Sequence, residues 1–239
     1  MSERFIRTEL IYGKKAMEKL ASSRVAVFGA GGVGGYVIEA LARSGIGAID
    51  IIDNDVVSVS NINRQILALD ETVGQFKTQV AKKRVESINP ECKVTTYEMF
   101  FLPENSCDID FSLFDYVADA IDTVAGKVEI IGKAQTAGVP VISSMGAGNK
   151  VNPSLFRVVD ISKTENDPLA KAVRVGCRKK GINHFKVVWS PETAIKPGET
   201  EGVSTDTPPG KRATPGSTAF TPPVAGLIMA SEIINDLVK

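Results

Sequence analysis

Residues 25–55, VAVFGAGGVGGYVIEALARSGIGAIDIIDND, decide the fold. A β-branched run, Val25 to Phe28, leads into glycines at 29, 31, 32 and 34, and a helical pattern runs from Val33 to Ser44. That order predicts a phosphate-binding turn. Gly29 permits the tight bend, Gly31 lets backbone approach phosphate oxygens, and Gly34 lets the helix pack on the strand. Free N–H groups and the positive end of the helix then face the anion. A second strand, Ile49 to Ile52, ends at Asp53, a carboxylate placed to accept hydrogen bonds from ribose hydroxyls. Taken alone, the stretch reads as a dinucleotide-binding fingerprint.

The residues just beyond it do not suit a dinucleotide. SNINRQ (60–65) and VGQFK (73–77) add two fixed cations, Arg64 and Lys77, and amide donors from Asn61, Asn63 and Gln65. A nicotinamide cofactor has no further phosphate there to neutralise, whereas a triphosphate does. Outside such a pattern both cations would be read as solvated surface charges. The run GAGGVG, DND, SNINRQ, VGQFK, with RFIRTELIYG (4–13) before it and DAIDT (119–123) after it, resembles the adenylation domain of the ubiquitin-activating enzyme superfamily. The likeness covers about the first two thirds of the chain.

Composition limits the alternatives. The 239 residues suffice for one large α/β domain, with 28 basic and 28 acidic side chains in balance. No global field steers the protein toward nucleic acid, so an RNA contact requires a local patch. No signal peptide precedes Arg4 and no apolar run approaches the roughly 20 residues that span a bilayer, so a cytoplasmic protein is expected. The three cysteines, Cys92, Cys107 and Cys177, lack CxxC spacing, so no zinc site is expected. The single histidine, His184, reads as a surface-loop residue and leaves no histidine-centred triad.

Further strands are predicted at Lys93 to Tyr97, Tyr116 to Ala120 and Val139 to Ser143, with helices at Glu9 to Ala21, Lys77 to Ile88 and Val124 to Ala137. This alternation specifies a Rossmann-like, doubly wound, mainly parallel sheet with its ligand at the carboxyl ends of the strands. Beyond Gly148, a strand at Leu155 to Asp160, a helix at Pro168 to Lys180, a strand at Lys186 to Ser190 and a helix at Pro223 to Leu237 are expected. Residues 1–148 form the nucleotide-binding part of a single domain, and 149–239 the substrate and dimerisation part. Residues 195–217, rich in Pro, Gly and Thr, read as a long, partly mobile loop. The last helix is apolar on much of its surface and reads as core or dimer interface.

The carboxyl-terminal third narrows the resemblance. SSMGAGNKVNPSLFRVVDI (143–161), RVGCRKKGI (174–182), VVWSPE (187–192) and PGSTAFTPPVAGLIMASEII (215–234) are similar to the bacterial tRNA threonylcarbamoyladenosine dehydratases. That resemblance implies an ATP-dependent enzyme that adenylates the threonyl carboxylate of the modified nucleoside and closes a ring with loss of AMP. Adenylation of the C-terminal carboxylate of a sulfur-carrier protein is the competing enzyme reading. A nicotinamide-dependent oxidoreductase or a nucleotide-binding scaffold are readings from other classes. The resemblance assigns Mg²⁺ with ATP to Asp122, which on residue type alone is equally a helix N-cap. It assigns Arg7 to the neighbouring active site of a homodimer, against a plain surface arginine, and a monovalent cation to MGAGNKVNP (145–153). A sulfur-relay partner protein is a further implied interaction, and DNA is not. Cys177, in VGCRKK, lies in a basic setting that would favour thiolate, although incidental burial is the preferred reading. Arg174, Arg178, Lys179 and Lys180, with Lys186, form either a solvated face or a patch for the tRNA backbone.

Overall fold

The structure is a computed structural model that describes residues 3–196 and 215–239. Most of the loop expected at 195–217 therefore lies outside the described residues. Seven strands form one sheet: β1 (Arg24–Phe28), β2 (Ala48–Ile52), β3 (Lys93–Tyr97), β4 (Tyr116–Asp119), β5 (Val141–Ser144), β6 (Arg157–Asp160) and β7 (Lys186–Trp189). Their order is β3-β2-β1-β4-β5-β7-β6, all parallel except β6, which pairs antiparallel with β7 at the edge. The chain winds outward from β1 to β3 and then crosses to place β4 on the other side of β1. That reversal leaves a crevice beyond the carboxyl ends of β1 and β4, where Phe28 is level with both Ile52 and Asp119.

Helices cover both faces. Helices α2 (Lys14–Ser22), α3 (Gly34–Arg43), α4 (Lys77–Ile88) and α7 (Thr221–Leu237) close one side with Leu20, Val37, Leu41, Val85, Met229 and Ile233 in its core. Helices α5 (Val124–Thr136) and α6 (Pro168–Lys179) close the other, with Ile131, Ala134, Val173 and Cys177 packed against Phe28, Phe101, Phe111 and Phe114. Among the helices, α7 makes its most extensive contact with α3. The approach is close because α7 carries Gly226, where a Cβ would stand 2.4 Å from the Val33 carbonyl oxygen. No helix among the described residues is long and apolar enough to cross a membrane.

Several expected bounds need correction, among them that of the last helix, which begins at Thr221 and not Pro223. The single helix at Glu9 to Ala21 is two, α1 (Ile6–Tyr12) and α2, because Gly13 at φ 83° turns the chain between them. The strand expected from Val139 starts at Val141, since the Val139 N–H closes α5 onto the Ala134 carbonyl and Pro140 has no N–H to give. The strand expected from Leu155 starts at Arg157, because Pro153 opens a short 3₁₀ turn through Leu155. Finally β4 ends at Asp119, not Ala120.

Candidate active site

The crevice at the carboxyl ends of β1, β2 and β4 holds a cavity of about 690 Å³. Gly29, Gly31, Asp53, Asn61, Arg64, Gln65, Lys77 and Asp122 all line it, so most residues singled out from the sequence converge. Gly29 takes φ 90°, and a Cβ there would come within 2.9 Å of the Ala120 carbonyl oxygen. A Cβ on Gly34 would lie 1.7 Å from the Gly29 carbonyl oxygen. Gly34 therefore serves packing, and Gly32 likewise faces Pro222 of α7; neither lines the cavity.

Asp53 fastens two loops together. Its Oδ2 accepts the Ala30 N–H at 2.6 Å and its Oδ1 the Asp55 N–H at 2.7 Å. Burial raises its carboxyl above the usual range, against the pull of Lys77 and these two N–H groups. Each oxygen retains a lone pair for a ligand hydroxyl. Asp55, two residues on, also takes part: its Oδ2 accepts from Lys77 Nζ at 2.7 Å, and it lines the cavity. Lys77 is 5% exposed at the first position of α4, with its ammonium delivered into the crevice.

Arg64 extends from the loop after β2, where its Nη1 donates to the Ser60 carbonyl and to Asn63 Oδ1, both at 2.9 Å. Asn63 itself does not line the cavity; its amide donates instead to the Ser217 carbonyl at 3.2 Å. Gln65 is 7% exposed, and its Oε1 has no hydrogen-bond donor within the described residues. A buried amide oxygen left so is costly unless a ligand supplies the donor. Three helices, α3, α4 and α5, begin at the cavity rim and add positive potential to the two cations. Against these stand Asp53, Asp55 and Asp122. A mixed set of this kind suits a polyanion carrying a divalent metal, which a carboxylate can share with phosphate oxygens.

The sequence reading missed the other wall. Met99, Phe100 and Phe101, in the loop after β3, supply an apolar surface beside Asp53, with the Phe101 ring edge-on to Phe28 at 4.9 Å. The apolar run MFFL immediately after a strand next to β2 was the available signal.

Residues 3–239 match the model of the ThiF family. The chain belongs to this family. A curated family relative, the tRNA threonylcarbamoyladenosine dehydratase of Bacillus subtilis, is 44% identical over 245 residues, spanning 100% of this chain and 96% of that protein. Among solved structures, the Escherichia coli tRNA N6-threonylcarbamoyladenosine dehydratase in complex with AMP superposes with a TM-score of 0.88 at 34% identity, covering 98% of this chain and 94% of that one. Its complex with ATP gives 0.86 at the same identity, covering 98% and 93%.

Other candidate residues lie elsewhere. Arg7 is exposed on α1 and does not line the cavity of its own chain. Cys177 is fully buried, and its thiol is pushed up to about 11 by burial and then by the Asp119 charge, the reverse of the thiolate that its basic neighbours suggested. Arg174 donates to the carbonyls of Ile161 and Thr164, Lys180 pairs with Glu129, and Lys186 with Glu232 and Asp236. Arg178 and Lys179 stay exposed but end α6 near the start of β7, at the opposite edge of the sheet from the cavity. In the loop 145–153, the Lys150 ammonium already engages the Ser190 carbonyl and Asp167. His184 lies on the surface with its Nδ1 3.3 Å from Asp160.

Proposed function

We propose that this chain is an ATP-dependent tRNA threonylcarbamoyladenosine dehydratase. The observation that carries the reading is the convergence of Arg64, Lys77 and Asp122 on one cavity, in a chain aligned end to end with dehydratases. ATP lies with its phosphates toward Gly29, Gly31, Arg64 and Lys77, its ribose at Asp53, and its adenine against Met99 and Phe101. Lys77 exchanges Asp55 for phosphate oxygens when the nucleotide enters. Asp122 holds the Mg²⁺ that accompanies ATP, and that ion supplies charge neutralisation on the phosphates.

The free carboxylate of the threonylcarbamoyl group attacks the α-phosphorus, and the bond to the bridging oxygen of pyrophosphate breaks. Charge grows on the equatorial and bridging oxygens, where Arg64 and Lys77 are already fixed; such preorganised groups are worth about 3–4 kcal/mol each. In the acyl-adenylate, an atom of the neighbouring ureido group attacks the carbonyl carbon. AMP departs, one proton is lost, and a five-membered ring closes. The second step is intramolecular, so proximity substitutes for an enzyme nucleophile. The buried, protonated Cys177 suits a route without a thioester.

The reaction centre is completed by a second copy of the chain. Ile6, Leu10 and Ile11 of α1 are 56%, 82% and 80% exposed, an apolar face that a homodimer would bury while carrying Arg7 toward the partner's cavity. The tRNA reaches the cavity by its modified nucleoside, and Arg178 and Lys179 meet its backbone only where the bound tRNA extends past the far edge of the sheet.

The decisive experiment is nucleoside mass spectrometry of tRNA carrying threonylcarbamoyladenosine after incubation with the protein and ATP-Mg²⁺, under mild workup. Loss of one water, matched by AMP release, is expected. An unchanged nucleoside beside a working control would move the assignment to adenylation of a carrier-protein carboxylate.

A further inference from the structure

One buried charge pair directly beneath the cavity takes no part in the scheme above. Lys127 of α5 and Asp119 at the end of β4 are both 0% exposed. The Lys127 ammonium donates to Asp119 Oδ2 at 3.1 Å, to Ser143 Oγ at 3.2 Å and to the Ser144 carbonyl at 2.8 Å, which occupies all three of its protons. Asp119 Oδ2 also accepts from Ser143 Oγ at 2.5 Å, and Asp119 Oδ1 accepts the Ile121 N–H at 3.3 Å. Stability is a poor reason for such an arrangement. Desolvating two charges cancels much of their attraction, and an apolar pair of similar volume would hold the core as well.

What the pair joins is more informative. Asp119 opens the turn that ends β4, and the first turn of α5 closes it, with Lys127 reaching back from the helix to the same carboxylate. The residues between, Ala120, Ile121, Asp122 and Thr123, all line the cavity. The Gly-rich turn rests on this segment too, through the close approach of Gly29 to the Ala120 carbonyl. We infer that Lys127 is a positioning residue for the chemical step. Together with Asp119 and Ser143 it fixes the 120–123 turn, and so sets the distance between the Asp122 carboxylate and the phosphate-binding turn across the α-phosphate. The inference rests on the proposed role of Asp122. A displacement of about 1 Å at a reacting centre costs up to about 100-fold in rate without abolishing binding.

Two variants test it: Ser143→Ala, which removes one partner and no charge, and the double variant Lys127→Met with Asp119→Asn, which removes both charges and leaves neither alone in the core. Each is read by kcat and by KM for ATP in AMP release, and by amide hydrogen exchange across 120–123. In the double variant kcat should fall about 10-fold or more with KM for ATP within about 2-fold, and in Ser143→Ala about 3-fold. Exchange at 120–123 should quicken while β1 and β2 keep their protection. Wild-type kcat with unchanged exchange in Ser143→Ala overturns the inference, and that variant decides alone should the double variant not fold. Exchange that quickens throughout the sheet, with kcat per folded molecule unchanged, also overturns it by assigning the pair to stability alone. Should the wild-type chain release no AMP from modified tRNA, the proposed reaction fails, while local exchange still decides whether Lys127 fixes the turn.

Discussion

Lys77 donates to Asp55, so the ammonium stands in the cavity in a defined place. Replacing Lys77 or Asp122 by Ala should lower kcat for AMP release by about 100-fold or more while circular dichroism stays unchanged, because Lys77 meets the charge that develops at the phosphates and Asp122 would hold the ion that neutralises it. Cys177→Ala should retain nearly all activity and lose about 1 kcal/mol of stability, and the native thiol should resist alkylation at pH 8. An inactive but folded Cys177→Ala would restore the thioester route. The legibility of the site follows from the same chemistry. Asp53, Arg64 and Lys77 stand in a motif whose spacing fixes them relative to the Gly-rich turn. Asp55 and Phe101 act through contacts between loops that are distant in sequence, whereas the burial expected of Cys177 holds despite its basic setting, because sequence neighbours on a helix point to different faces.

At the level of elements, α7 is held at both ends. Near its start Gly226 lets it seat against α3, and Gly226→Ala should cost about 2–3 kcal/mol and lower Tm by about 5–10 °C by scanning calorimetry. Near its end Asp236 accepts from Lys186 and from Tyr116. Partial burial would raise the Asp236 carboxyl, but Lys186, Lys239 and Tyr116 outweigh it and bring it down to about 2. A lowered carboxyl stabilises the fold above its ordinary value near 4 and loses that contribution as pH falls toward 2. With screening at this partly exposed site the contribution is about 1 kcal/mol. The Tm difference between wild type and Asp236→Asn should therefore be constant from pH 7 to 5 and shrink steadily as pH falls from there through about 2. The regular βα units were read nearly residue by residue because their apolar periods are strong. Three of the boundaries that moved lie at Gly13, Pro140 and Pro153, where a backbone conformation or a missing N–H overrode the apolar pattern.

For the molecule as a whole, the exposed α1 face predicts the oligomeric state. Leu10→Glu with Ile11→Glu should convert a dimer to a monomer in sedimentation velocity and reduce activity as strongly as Arg7→Ala, which should leave the dimer intact. Reversing the charges of Arg178 and Lys179 should weaken tRNA binding and flatten its salt dependence if the backbone reaches that edge; unchanged binding would confine the RNA to the cavity side. The doubly wound, mainly parallel sheet was legible from the alternation of elements, whereas the strand order and the antiparallel addition of β6 were not, since its short run carries no mark of direction. The seating of α7 on α3 has one more consequence, in the order of synthesis. The helix that presents the phosphate-binding turn is complete by Arg43, yet the surface that covers it is not made until residues 221–237 have been added. At about 5–20 residues per second, roughly 10–40 s separate the two. Through that interval the apolar flank of α3 has no native cover, so a nascent chain stalled before Thr221 should be a chaperone client unable to retain ATP.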